Sequence, residues 1–318
     1  MFDNTYEAFF QSTGELQVRL PETCLAKLAA GEIVGVHYEQ WPFHLENLLL
    51  AVDLLANTLG REVDLFLPYL PYARTDRRFP ADDYHRLNAF MRAIASAPVR
   101  SVHTVDAPSQ AAVEQWPNFL VNHLPVRELM DAILCELYTN PMLYVLFPTP
   151  AAAQRYFQPL NKALLDIRRG EMMPEKRRQS VIIATGLAKI DPETKQLIGY
   201  SIPELPQPGS VLLIDDICDT GKTFIEISRQ LRKRYPMRRI SAYATHGVFS
   251  EGTDVLRTQG AVNGTIYTTD TWTDIGDGGA EPFGREETVV VLPAAKRISA
   301  EIANRILRIS DGDLRCAQ

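Results

Sequence analysis

Short apolar runs and longer amphipathic stretches take turns along the chain. Val63–Leu67, Val99–Val105, Leu143–Phe147, Val181–Thr185, Ile240–Thr245 and Thr265–Thr268 have the length and residue types of strands, as does Glu32–His37. Glu15-Leu16-Gln17-Val18-Arg19-Leu20 alternates polar and apolar positions, the pattern of a half-buried strand. Leu45–Leu59 repeats its apolar positions with the period of a helix, and Tyr84–Ala97 and Phe224–Arg234 predict two more. Val211-Leu212-Leu213-Ile214 is apolar at every position, which predicts a strand buried on both faces, as a parallel sheet requires. Strands alternating with helices in this way predict an α/β protein of parallel sheets joined by crossover helices. The pattern breaks at Asn140-Pro141, which divides the chain into domains at 1–140 and 141–318. Pro-rich 202–209 reads as a connection into the Val211 strand and not as an interdomain linker.

Composition narrows the class. With 318 residues, 46% of them apolar, two packed domains of ordinary size are expected. A net charge of −6 argues against a nucleic-acid binder working through a basic surface, so any phosphate site should be local. The cysteines Cys24, Cys135, Cys218 and Cys316 are scattered, which speaks against a zinc site or a disulfide framework and suits a reducing, cytoplasmic setting. The polar, acidic Met1–Arg19 does not resemble a signal peptide, and no apolar run is long enough for a membrane span.

Residues 211–224 carry the clearest chemistry. Asp215 and Asp216 follow the buried run, at the strand end where open α/β sheets bind ligands. Asp219-Thr220-Gly221-Lys222-Thr223 then turns into the amphipathic Phe224–Arg234. A helix N-terminus with free N–H groups, hydroxyls and a glycine seats a phosphate. The carboxylates cannot hold that phosphate, but they can grip sugar hydroxyls or Mg²⁺. Together the parts suit a ribose 5-phosphate group. A Walker A loop is excluded, since it needs glycine where Asp216 stands. Cys218 lies inside the turn and reads as a small filler. Pro68-Tyr69-Leu70-Pro71-Tyr72-Ala73-Arg74-Thr75-Asp76-Arg77-Arg78 follows the Val63–Leu67 strand, and its arginine forks suit a polyphosphate. The other reading of that segment is a solvated basic loop. His246 is read either as a satisfied structural histidine or as a neighbour of the sugar phosphate.

The 211–224 stretch resembles the phosphoribosyl-diphosphate loop of type I phosphoribosyltransferases and of phosphoribosyl-diphosphate (PRPP) synthetases. Pro-Tyr-x-x-Tyr-Ala-Arg-x-Asp-Arg at 68–77 narrows this to the PRPP synthetases, or ribose-phosphate diphosphokinases, whose ATP-binding segment it resembles. Gly14–Arg19, Thr104-Val105-Asp106, Ala242–Ser250 and Tyr267–Thr271 are similar to that family's segments in order and spacing, so the likeness covers nearly the whole chain. The resemblance implies two tandem type I phosphoribosyltransferase-like domains and transfer of the β,γ-diphosphoryl group of Mg-ATP to the anomeric hydroxyl of ribose 5-phosphate. It implies that Glu15, Arg74, Thr75, Asp76 and Arg77 bind ATP. Asp215, Asp216, Asp219, Thr220, Gly221, Lys222 and Thr223 would bind ribose 5-phosphate. Lys189, Arg74 and Asp215 would act in catalysis, and Asp106 would bind Mg²⁺. A homo-oligomer is implied as well.

Departures from the family pattern open two alternatives. Pro108 stands where the family has a metal-linked histidine, and Thr149 stands where it has a metal-site carboxylate. Thr75 replaces a glutamine, and 186–194 lacks the catalytic-loop arginine, with Lys189 displaced by one. Lys176-Arg177-Arg178 either substitutes for that arginine or is a solvated run. The same chemistry on a larger acceptor such as ADP-ribose is one alternative. A non-catalytic, PRPP synthetase-like regulatory subunit is the other.

Overall fold

The computed structural model describes residues 2–3, 7–10, 16–19, 22, 26–27, 35–38, 44–73, 86–140, 142–169, 181–190, 197–272 and 289–316. The chain divides into two compact units, 1–124 with 294–318, and 125–293.

The first unit holds β1 (Phe2–Asp3), an antiparallel pair β2 (Glu7–Phe10) and β3 (Leu16–Arg19), β4 (Gly35–His37), α1 (Leu45–Leu59), β5 (Val63–Leu67), α2 (Arg86–Ala95), β6 (Val99–Val105), α3 (Gln110–Gln115) and β7 (Leu120–His123). Strands β1-β4-β5-β6-β7 form one parallel sheet in that order. Helix α1 buries Leu48, Ala51, Val52, Leu55 and Ala56, the i, i+3, i+4, i+7, i+8 stripe its sequence predicts. Gly60 ends it at φ 65°, a left-handed conformation that glycine adopts without a Cβ penalty.

One face of this sheet carries a row of polar groups beside the apolar Phe66 and Val105. Asp64 of β5 is buried; it accepts from the Arg100 guanidinium and, at 2.6 Å, from the Ser101 hydroxyl. Ser101 Oγ lies 3.0 Å from His103 Nε2, and His103 Nδ1 lies 3.0 Å from His123 Nε2. The carboxylate fixes the order of protons. Ser101 gives its only proton to Asp64, so it accepts from His103 Nε2–H, and neutral His103 then accepts from His123 Nε2–H. Burial, chiefly, lowers the pKa of both rings, His123 to about 4; for His123 the charges of His103, Arg297 and Arg305 act in the same direction.

The second unit holds α4 (Val126–Thr139), β8 (Leu143–Phe147), α5 (Pro150–Arg169), β9 (Val181–Thr185), an antiparallel pair β10 (Leu187–Ile190) and β11 (Leu197–Ser201), β12 (Ser210–Cys218), α6 (Lys222–Arg234), β13 (Ile240–Gly247), α7 (Asp254–Thr258), β14 (Ile266–Thr269) and β15 (Val289–Leu292). Helix α8 (Ala294–Cys316) follows and belongs to the first unit, where Ala295, Ile298 and Ile302 cluster with Phe66 and Val105. The main sheet is parallel throughout, ordered β15-β14-β13-β12-β8-β9. Val211 and Leu213 enter the core that includes Phe224 and Ile227 of α6, while Leu212 and Ile214 enter the core that includes α4 and α5. The all-apolar run thus serves both faces of a strand covered on both sides.

The observed division differs from the sequence boundary at 140/141. It falls between Leu124 and Pro125, because α4 faces the second unit: Leu129, Ile133 and Leu137 share a core with Leu143 and Val145. Buried Glu136 on α4 accepts from Ser241 Oγ at 2.8 Å and Tyr267 Oη at 3.0 Å, tying the helix to β13 and β14. A proline in sequence marked the end of α4 and not the end of a domain. The return of α8 was equally unforeseen.

Candidate functional site

In the second sheet β8 is the turning point of the strand order: the chain goes from β8 outward to β9, then returns to lay β12 on the other side of β8 and continues outward through β13, β14 and β15. Open α/β sheets leave a crevice at the carboxyl ends of such a pair of strands. The acidic pair and the 219–223 turn stand at the β12 end of this crevice.

Gly221, which has no side chain to cap with, stands at the N-cap of α6 at φ 75°. No acidic residue lies in the first turn of α6, whereas Arg232, Lys233 and Arg234 fill the last, and Lys222 of the first turn is exposed. A Cβ on Gly221 would come within 2.6 Å of Leu256 Cδ2, so glycine is required by space as well as by φ.

A second segment braces the turn. The Val248 and Phe249 N–H groups both donate to the Cys218 carbonyl, at 2.9 and 3.0 Å, and Ser250 Oγ donates to Asp219 Oδ1 at 2.6 Å. Phe249 takes φ 44°, an uncommon value for a bulky residue, and its buried ring packs over Gly247. His246 is fully buried, with Nδ1 2.8 Å from Thr271 Oγ1. The Thr269 and Thr271 hydroxyls both donate to Thr245 O, which leaves the shared proton on His246 Nδ1. His246 is thus a structural histidine supporting the strand end. Cys218 is buried, and burial followed by the Asp215 and Asp219 charges raises its thiol pKa far above the usual range. It is a filler, as expected, and not a nucleophile.

The acidic pair lies within β12, which runs on through Cys218. Asp216 shares the phase of Leu212 and Ile214 and pairs with Arg155 of α5. Asp215 shares the phase of Val211 and Leu213, on the α6 side, and accepts the Asp216 N–H at 3.1 Å. Burial first, and the neighbouring Asp216 charge second, push the Asp215 pKa well above the usual carboxylate range, while Arg155 pulls it back in part. Arg155 has no counterpart in the sequence reading: its partner is 61 positions away, and nothing local marks it. Thr149, the residue standing in place of an expected carboxylate, receives the Ala152 N–H on its hydroxyl at 3.1 Å and starts α5 as a helix cap.

The remaining expected residues are placed as follows. Thr220 and Thr223 are half-buried in and after the turn. Lys189 lies on β10, paired with Gly199 of β11, where the register shifts. Asp106 ends β6 of the first unit, buried, at φ 47°, with its N–H donating to His123 O at 2.9 Å. Glu15, Arg74, Thr75, Asp76 and Arg77, with Lys176–Arg178, lie outside the described residues. Among the described residues no three metal-binding side chains cluster.

Two units, each a mostly parallel sheet flanked by helices, make up a tandem phosphoribosyltransferase-like fold. No protein-family model matches the chain. It is 26% identical over 209 residues to a ribose-phosphate pyrophosphokinase of Maricaulis maris, covering 65% of this chain and 61% of that protein. It is also 26% identical over 242 residues to a ribose-phosphate pyrophosphokinase of Sulfurisphaera tokodaii, covering 74% of each. The fold matches the crystal structure of phosphoribosylpyrophosphate synthetase from Mycobacterium smegmatis, with a TM-score of 0.67 at 17% identity, over 97% of this chain and 91% of that one. The chain is thus similar in sequence to ribose-phosphate pyrophosphokinases and shares the fold of a PRPP synthetase.

Proposed function

We propose that the chain transfers the β,γ-diphosphoryl group of ATP to the anomeric hydroxyl of ribose 5-phosphate, giving PRPP and AMP. The supporting observation is the β12–α6 turn: a helix N-terminus opened by Gly221 for the 5-phosphate, with carboxylates at the adjoining strand end for the sugar. Asp219, Thr220, Gly221, Lys222 and Thr223 seat the phosphate, and the acidic pair orients the ribose. The anomeric oxygen attacks the β-phosphorus, the bond from that phosphorus to the α-phosphate oxygen breaks, and AMP leaves. Such transfers need positioning and charge neutralisation more than covalent chemistry. Arg74 and Arg77 would supply neutralising charge to ATP, Lys189 would act in catalysis, and Glu15, Thr75 and Asp76 would complete the nucleotide contacts. Mg²⁺ carried on the ATP phosphates would add to that neutralisation, with Asp106 as its protein-side carboxylate.

The test is AMP release from Mg-ATP in parallel with ribose 5-phosphate, with ADP-ribose and with no acceptor. Release that depends on ribose 5-phosphate is the expected result. Dependence on ADP-ribose alone would move the proposal to the larger acceptor. No release with either acceptor, alongside measurable ATP binding, would refute the enzyme and leave a regulatory subunit.

A further inference from the structure

The Arg155–Asp216 pair bridges β12 and the helix that follows β8, across the turning point of the sheet. Its side chains are only 13% and 17% exposed. A withdrawn ion pair is an expensive way to hold two elements together, since apolar residues of similar size do so without desolvating charge. Here α5 already packs through Ala152, Tyr156, Leu160 and Leu164, so the helix does not depend on the pair for its place. What the pair does settle is the difference between two neighbouring acids. Asp216 is drawn to α5 and neutralised. Asp215, in the opposite phase of the strand, stays on the side of the phosphate turn.

Resting on the ribose-phosphate reading above, we propose that Arg155 is a positioning residue for that site: it holds Asp216 on the α5 side and leaves Asp215 as the carboxyl that receives the vicinal hydroxyls of the ribose. The acids are therefore not an equivalent pair gripping one hydroxyl each. A carboxyl offers two oxygens that can accept from two neighbouring hydroxyls, which suits a diol and discriminates against a sugar lacking a hydroxyl. Arg155 also offsets the local negative charge that would otherwise oppose an incoming phosphate ester.

The experiment uses the full chain and calorimetric titration with ribose 5-phosphate and with 2-deoxyribose 5-phosphate across pH. The wild type is expected to favour ribose 5-phosphate by at least about tenfold, the scale of losing a hydrogen-bonded hydroxyl. Asp215→Asn should lose that preference, while Asp216→Asn should keep it. Arg155→Met should weaken ribose 5-phosphate binding by about tenfold or more and move the pH midpoint of binding upward, because the charge that eased ionisation of Asp215 is gone. Arg155→Lys should restore both in part. Equal losses from the two Asp→Asn variants would overturn the proposal, as would an Arg155→Met chain whose preference and pH midpoint are unchanged. The Asp216→Asn comparison preserves shape and stands even where Arg155→Met fails to fold. If the wild type binds neither sugar phosphate, the ribose reading itself fails, and that outcome appears before any substitution is made.

Discussion

At the scale of single residues, Gly221 is the most constrained position of the candidate site. It combines a left-handed φ of 75° with a neighbour that leaves no room for a Cβ. Gly221→Ala is expected to cost about 1–3 kcal/mol in stability, from the strained φ and from displacing the buried Leu256 side chain. It should also weaken ribose 5-phosphate binding, since the first-turn amides would be re-aimed. Denaturant unfolding read beside the sugar-phosphate titration checks both; an unchanged midpoint would show that the turn relaxes freely. Much at this scale was legible in sequence. The acids, the hydroxyls and the glycine stand where a phosphate turn needs them, because a strand-turn-helix packs its chemistry into consecutive positions. Arg155 and the Ser250 brace were not legible, since their partners are brought close only by the sheet. Thr149 showed where the family pattern failed, but its use as a cap could be seen only once α5 began there.

At the scale of elements, the sheet of the first unit carries a pH-sensitive chain of groups from Asp64 to His123. The ring of His123 titrates near 4 in the folded protein against 6.5 when unfolded, so the fold binds its proton less readily than the unfolded chain does. This stability term is fully present above pH 6.5 and is lost as the pH falls toward 4. The loss is about 1–3 kcal/mol after allowing for the partly exposed ring. Thermal melting between pH 7 and 4 should show this decline, and His123→Gln, which keeps a donor for His103, should flatten it. An identical slope in that variant would assign the decline to other groups. Element positions were read well where the apolar pattern is clear: β5, β6, β8, β9 and α1 match their predicted spans residue for residue. Strand ends were less legible. β12 and β13 run past their apolar residues into Asp, Cys, His and Gly because backbone pairing continues from Asp215 to Cys218 opposite Ala244 to Gly247, whatever the side chains.

At the scale of the whole molecule, the alternation of strands and helices made the α/β class plain, while the partition of the chain was hidden. Which helix covers which sheet depends on long-range contacts that a periodic pattern does not encode. The division predicts different behaviour of the two units on truncation. A chain ending at residue 293 should keep the second unit folded, because 125–293 is continuous and retains its sheet. It should loosen the first unit, because Phe66 and Val105 lose Ala295, Ile298 and Ile302. Hydrogen exchange checks this: β12 and β13 should stay protected while β5 and β6 exchange, and full protection of β5 and β6 would refute it.

The return of α8 also bears on the order in which the chain matures. During synthesis residues 1–124 leave the ribosome first, yet the helix that covers Phe66 and Val105 is still to be translated. The second unit can close on itself as soon as residue 293 emerges, whereas the first must wait, with part of its sheet uncovered, for 294–316. The half that is made first is completed last, and in that interval it is the half that needs shielding from aggregation.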